Sequence, residues 1–404
     1  MHHQALEGIK IADFTWAAAG PLTMSYLAHC GATVVKIESG TKMGVSRSFP
    51  PRGGEGGMIS SMMFSNDNSD KLSMTINMKN PRGVEVAKKL IAWADVVAEN
   101  FRPGTMEKWG LGYEELKKIN PSIIMFRSSA RGQTGPDAKV AENGITLQSL
   151  TGFTFLTGYP DKDDPTPPWG AYTDLTAPAL GAVMLIGALD YRAKTGKGQC
   201  LDLSQLEAGL QFLAPAILDY HVNHQCARRM ENTSSYGVPH GVYRCSGDDR
   251  WCAIAIFNDK EWKTFCRIID NPEWINDSRF ATIIARKKNE SELNQLINDW
   301  TVKHNAEKIM NLLQKNNISA GIVENSTDIL NDPQIKERKF FKKLKHPKLG
   351  SFSHLGVGFK LSKTPCDLRT PGPLLGQHTE HVCRELLELS KDEYEELVDI
   401  GALA

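Results

Sequence analysis

The chain has 404 residues, 41% of them hydrophobic and 23% charged, with Lys+Arg and Asp+Glu equal at 47 each. That balance is ordinary for a globular protein with room for two domains, and zero net charge argues against nucleic-acid or membrane-surface binding driven by bulk charge. No run reaches the roughly 18 continuous apolar residues that span a bilayer. The opening MHHQALEGIK lacks an apolar signal region, and the eight cysteines show neither CxxC nor zinc-finger spacing. These features read as reduced thiols in a cytoplasmic protein without a metal.

IKIADFT at 9–15 alternates as a strand, WAAAGP at 16–21 is a small-residue turn, and 22–30 follows as a helix with Pro21 near its first position. Gly31 stops that helix, and ATVVKIES at 32–39 is a second buried strand. Such a β-α-β unit lets a phosphate approach the helix N-terminus. Glu38 stands where a dinucleotide fold has its ribose-binding acid, but a turn with one glycine and no GxGxxG argues against a nicotinamide site. Residues 40–71 are irregular, and PPRGGEGG at 50–57 reads as a lid or a plain surface loop. A strand over 72–79, a helix over 81–94, a strand over 95–101, helices from Thr105 and over 113–119, and a strand over 122–129 come next. This alternation predicts a mostly parallel sheet covered by helices, with ligands at the carboxyl ends of the strands. Residues 17–20, Ser39, Lys79 and 100–104 lie at those ends.

The stretch 169–208 organises the rest. Asp174 precedes an apolar run over 177–191, uncharged until Asp190, which the basic turn 192–198 ends. A run apolar on nearly all sides predicts a helix buried in the core. Pro178 belongs in a first turn, so Thr176 is the better N-cap and Asp174 falls just upstream. On local pattern alone, a capping Asp174 and a catalytic one stand about even. A strand at 199–204 and one helix over 205–223 follow. Polar 225–239 opens a smaller domain, with an antiparallel pair at 240–245 and 251–257 and a strand at 319–324. The predicted division is 1–224 for the first part of a large domain, 225–330 for a small one, and 331–404 returning to the large one. The last part has a basic patch at 336–348, a strand-like 356–361, the stiff TPGPLLGQHT at 370–379 and a helix from Lys391.

Seven stretches occur in order over nearly the whole chain: DFTWAAAGP (13–21), ATVVKIE (32–38), NMKNPRG (77–83), ADVVAENFRPG (94–104), RAKTGKGQCLDLS (192–204), HGVYRC (240–245) and PLLGQHT (373–379). Together they resemble the family III CoA-transferases, which include formyl-CoA, carnitine-CoA and benzylsuccinate-CoA transferases. The resemblance implies an α/β fold, with a Rossmann-like large domain made of both chain ends plus a smaller α+β domain. It also implies an interlocked dimer, with a second copy or a paralogous subunit as partner. It makes Asp174, just before the long helix, the nucleophile toward coenzyme A thioesters, which are substrates rather than a permanently bound cofactor. It puts Ala17, Ala18 and Ala19 along the pantetheine and phosphate path. Lys79, Asn100, Phe101, Thr105 and Lys108 match its adenosine-diphosphate positions, and Lys139 matches another within about two residues of register.

The chain departs from the formyl enzymes at three places. Ser39 replaces an Arg, Lys108 replaces an Arg and with it bidentate phosphate contact, and residues 234–241 occupy the region of the glycine-rich loop. Formyl and oxalyl substrates are therefore disfavoured. WAAAGP and the Met-rich 58–63 are most similar to benzylsuccinate-type members, which implies succinyl-CoA as donor and an aryl-substituted acid as acceptor. An α-methylacyl-CoA racemase on the same fold is the alternative, but it pairs its acid with a Gly-His-Asp histidine, and no histidine occurs between His29 and His221. A subunit of a hetero-oligomeric transferase is the other.

Overall fold

A computed structural model describes residues 3–50 and 61–404. Most of the lid-like 50–57 and the first half of the Met-rich 58–63 lie outside the described residues. The chain forms two compact units, one of residues 1–154, 167–226 and 334–404, the other of 155–166 and 227–333. Segment 155–166, expected within the large domain, packs with the second unit.

The first unit is built on six parallel strands, β1 (Lys10–Asp13), β2 (Thr33–Glu38), β3 (Leu72–Thr75), β4 (Val96–Glu99), β5 (Ile124–Ser129) and β6 (Cys200–Ser204). Their near-continuous apolar runs suit strands covered on both faces. On one face, Val86, Leu90 and Ile91 of the helix Pro81–Trp93 pack with Met74, Val97 and Met125. On the other, Ile11, Val34, Ile124 and Phe126 meet Met24 and Leu27 of α1 (Ala19–His29) and Ala177, Leu185 and Ala188 of a long helix. The strand order β3-β2-β1-β4-β5-β6 reverses its winding between β1 and β4. In a doubly wound sheet this opens a crevice beyond the carboxyl ends of those two strands.

The covering helices used below are α2 (Gly144–Thr151), α3 (Tyr172–Thr195), α4 (Gln205–Gln211) and α5 (Ala214–Asn223). Helix α3 corrects two expectations. It begins at Tyr172 with Ala171 as N-cap, so Asp174 lies in its first turn and Pro178 inside the helix rather than at its start. It is also not wholly buried: Leu175, Val183, Ile186 and Tyr191 are exposed. By length and composition alone it would pass as a membrane span, with mean hydropathy 1.4, yet 39% of that window is buried against the rest of the protein. Gly181 is what lets it approach the sheet, because a Cβ there would lie 2.9 Å from Phe126 Cζ and 3.0 Å from Thr23 Cγ2. The expected single helix over 205–223 splits into α4 and α5, since Pro215 has no N–H to continue the ladder and instead sits in the first turn of α5.

The C-terminal part returns to the first unit. His378 Nδ1 accepts from Ser73 N at 3.1 Å and Thr379 Oγ1 from Thr75 N at 3.1 Å, so the stiff 370–379 stretch docks along edge strand β3. Before it, Phe341–His346 and Gly350–Leu355 form an antiparallel ribbon in the region read as a basic patch, while the strand-like 356–361 is not a strand. Cys30 and Cys366 form a disulfide, which corrects the reading of all cysteines as thiols.

The second unit has three antiparallel strands, β7 (His240–Arg244), β8 (Trp251–Ala255) and β9 (Ser319–Ile322). Its core includes Trp262, Phe265, Phe280, Ile297 and Leu313. Arg286 is fully buried there and is satisfied by the carbonyls of Val238 and Phe280 and by the Asp259 carboxylate.

Candidate active site

At the switch point, one polar side chain ties the two loops together. Asn100, just past β4, accepts from Trp16 N at 2.8 Å and donates to Ala17 O at 2.8 Å. The turn it holds is tight. Ala18 has φ 31°, in the left-handed region, and a Cβ on Gly20 would stand 2.5 Å from Thr15 Cβ. Only a residue without a side chain fits at Gly20.

Beneath the turn lies a buried ionic network. Lys71 Nζ donates to Asp13 Oδ2 at 3.0 Å, to Pro21 O at 2.9 Å and to Asn68 Oδ1 at 3.0 Å, while Lys36 Nζ donates to Thr15 O at 2.5 Å. Burial opposes ionisation of Asp13, but the Lys71 and Lys36 ammoniums and the Thr15 hydroxyl outweigh it and hold the carboxyl below its ordinary range. Burial lowers Lys71 to about 8. These groups anchor the turn from below, and nothing in the sequence marked them. Glu38, the would-be ribose ligand, is already engaged: Arg47 forks onto it at 2.7 and 2.6 Å, and Ser73 Oγ donates to it at 2.9 Å. A dinucleotide hydroxyl would have to displace that pair.

Two cavities flank the anchored turn. The first, of about 400 Å³, is lined by Trp16, Lys42, Lys79, Phe101, Arg102, Thr105 and Trp109 among others. Phe101 stands edge-on between Trp16, 5.5 Å away, and Trp109, 5.4 Å away. Aromatic faces beside three cations suit a planar base carrying phosphates. The second, of about 360 Å³, is lined by Ala17, Ala18, Asn100, Phe101, Arg102, Ser128, Ser129, Gly144, Asp174 and Gln205, with Val45, Phe49, Val140 and Leu147 as apolar wall. Phe101 and Arg102 line both cavities. Arg102 lies inside the FRPG motif yet escaped the sequence reading, because only its neighbours matched adenosine-diphosphate positions. Ala19 is buried, and neither it nor the exposed Lys108 and Lys139 line either cavity.

Asp174 is not a cap. Helix α3 has no side-chain cap, and the Asp174 amide donates to Ala171 O at 2.9 Å. Its side chain packs on the first residue of α2, where a Cβ on Gly144 would lie 2.5 Å from Asp174 Oδ2. Burial alone raises its carboxyl to about 6, and among the described residues no cation pairs with it. A half-buried carboxylate that is not neutralised, lining a cavity of mixed polar and apolar walls, can ionise near neutral pH and attack an acyl carbon. No cluster of metal-ligating side chains occurs among the described residues.

Comparison with known proteins follows the same line. The chain is 31% identical to a succinyl-CoA–D-citramalate CoA-transferase of Chloroflexus aurantiacus, covering 96% of this chain and 95% of that protein. It is 31% identical to the succinyl-CoA:glutarate CoA-transferase of Homo sapiens, covering 98% and 90%. A solved CAIB/BAIF family protein from Brucella suis superimposes with a TM-score of 0.87 at 30% identity, covering 95% of this chain and all of that one. The family model for CoA-transferase family III matches residues 6–379, which takes in the switch-point turn, Asp174 and the returning C-terminal strap, and the chain belongs to that family.

Proposed function

We propose that the enzyme moves CoA from succinyl-CoA to a second carboxylic acid, with Asp174 as the covalent nucleophile. The observation that carries this reading is the unpaired Asp174 carboxylate in a cavity contiguous, through Phe101 and Arg102, with one suited to a nucleotide. Asp174 attacks the thioester carbonyl, the C–S bond breaks, and CoA thiolate leaves a mixed anhydride. The thiolate attacks the aspartyl carbon of that anhydride, releasing succinate and forming an aspartyl-CoA thioester. The acceptor carboxylate attacks this thioester, and thiolate leaves again. Thiolate then attacks the acceptor carbonyl, giving the new acyl-CoA and free Asp174. Every intermediate stays activated, so no ATP is needed.

The CoA arm runs from Lys79, Phe101, Thr105 and Arg102 to Ala17 and Ala18, whose small side chains allow close backbone approach. Lys108 and Lys139 would act from outside the cavities, as long cations reaching phosphate. The relatives' names support succinyl-CoA as donor. The apolar wall of Val45, Phe49, Val140 and Leu147 supports an acceptor with an apolar group, of which an aryl-substituted acid such as benzylsuccinate is one.

The enzyme works as an interlocked dimer, with itself or with a paralogous subunit. Support comes from α5, which buries none of its residues and exposes Ile217, Leu218, Tyr220 and Val222, and from the exposed apolar residues of α3. The test is incubation with succinyl-CoA alone, followed by borohydride reduction and peptide mapping. A reduced Asp174 supports the reading. Solvent deuterium in the acyl α-carbon, with an unmodified residue 174, would instead indicate the racemase.

A further inference from the structure

Buried hydroxyls without a hydrogen-bond partner are costly, and native structures keep few of them without reason. Among the described residues three such hydroxyls occur, on Ser128, Ser129 and Thr173. Ser128 and Ser129 line the cavity that holds Asp174, and Thr173 precedes Asp174 on α3. Ser128 is only 1% exposed and sits near the carboxyl end of β5.

Strand alternation separates the two serines. Ile124 and Phe126 pack on the face covered by α1 and α3, whereas Ile123 and Met125 pack on the opposite face. Ser128 continues the first series, so its side chain belongs to the face that carries α3 and Asp174. Ser129 continues the second, with Arg127, whose guanidinium is bound to Glu99 and Glu107. Of the two serines, Ser128 is thus the one whose free donor lies on the face of the sheet that carries Asp174.

We propose that the Ser128 hydroxyl donates a hydrogen bond to the acyl oxygen of the CoA thioester, and that this bond strengthens as attack by Asp174 turns that oxygen into an oxyanion. The inference rests on Asp174 being the nucleophile. No proton is transferred: the C=O π electrons move onto oxygen as the Asp174 Oδ–C bond forms, and they return as the C–S bond breaks. A neutral donor suits this position. An arginine or lysine there would pair with Asp174 in the resting enzyme and blunt its nucleophilicity, whereas a hydroxyl leaves the carboxylate free and still stabilises developing charge. The bond is worth most in the transition state, so it acts on the rate of acylation more than on binding.

The experiment measures single-turnover formation of the Asp174–CoA adduct with succinyl-CoA, by quenched flow and intact mass, in wild type and in Ser128→Ala, Ser128→Cys and Ser128→Thr. Each variant's Tm is recorded first. Losing one oxyanion donor slows reactions by about 10²–10³, so Ser128→Ala should form the adduct on the order of a hundredfold more slowly, with KM for succinyl-CoA within threefold of wild type. Ser128→Thr, which keeps the hydroxyl, should recover to within tenfold, and Ser128→Cys, a weak donor of similar size, should fall between. Adduct formation by Ser128→Ala within threefold of wild type overturns the proposal, as does a loss confined to KM. Equal losses in all three variants would mark Ser128 as packing only and also overturn it. Absence of any adduct in wild type defeats the nucleophile reading, and this inference with it, whereas a wild-type adduct with an indifferent Ser128→Ala defeats this inference alone.

Discussion

Gly144→Ala is the sharpest small perturbation of the site. A Cβ at Gly144 would lie 2.2 Å from Ala171 Cβ and 2.5 Å from Asp174 Oδ2. Carbon atoms in contact sit about 3.5–4.0 Å apart, so the start of α2 and the start of α3 must separate by more than about 1 Å. Neither neighbour is the loose end of a flexible side chain: Ala171 is the N-cap of α3, and Asp174 is in its first turn. Overpacking of this kind costs about 1–3 kcal/mol, and alanine's better helix propensity returns up to about 1 kcal/mol. The net loss is then about 0–3 kcal/mol, and the protein stays folded. Catalysis is the more sensitive readout, because a 1 Å misplacement of a reacting group can cost about 10² in rate. Adduct formation from succinyl-CoA should fall roughly a hundredfold, with a Tm only a few degrees lower and KM for the CoA ester near wild type. A rate within threefold of wild type, at normal Tm, would refute the claim that the Gly144–Asp174 contact fixes the carboxylate.

Burial holds Asp174 at about 6 against an ordinary 3.8, so kcat/KM should fall on the acid side with a midpoint near pH 6; a midpoint near 4 would contradict the buried, unpaired carboxylate. A raised carboxyl means the folded chain keeps its proton where the unfolded chain has lost it, so the ionised group weakens the fold above about pH 6 and the penalty fades as pH falls toward 3.8. Asp174→Asn should therefore be inactive yet more stable than wild type at pH 7.5, by at most about 3 kcal/mol, with the gap closing by pH 4 in denaturant titrations. Lys71→Met should cost about 3–5 kcal/mol, because it strands the fully buried Asp13 without its cation; the check is urea unfolding, and a loss under about 1 kcal/mol would show that Lys36 and Thr15 suffice.

The parallel sheet was legible because its strands are apolar on both faces and separated by helices with recognisable stops. The ribbon of Phe341–His346 and Gly350–Leu355 was not, since FKKLKH is polar at most positions and reads as charge rather than as a strand. The partial exposure of helix α3 is not legible, because apolarity alone cannot tell a core face from an exposed one. Asp174 is ambiguous locally: Pro178 points to a helix start downstream of it, and only the family resemblance favours catalysis over capping. Cys30 and Cys366 are 336 residues apart, a separation at which spacing says nothing about pairing. Ser128 sits in an unremarkable FRSSA, and an unsatisfied hydroxyl becomes visible only when its surroundings are known.

The docking of the C-terminal strap on β3 also has a consequence in time. Thr75 leaves the ribosome 304 residues before Thr379, the residue that accepts from its amide. At roughly 5–20 residues per second this is a wait of about 15–60 s, during which the second unit, residues 155–166 and 227–333, is synthesised in full between the two partners. The nascent first unit spends that interval with the edge of β3 uncovered, and uncovered edges recruit other strands. Synthesis rate and chaperone supply therefore bear on how long that edge stays open to wrong partners. Placing the 71 codons for residues 334–404 ahead of those for β1 would deliver the strap before the strand it covers.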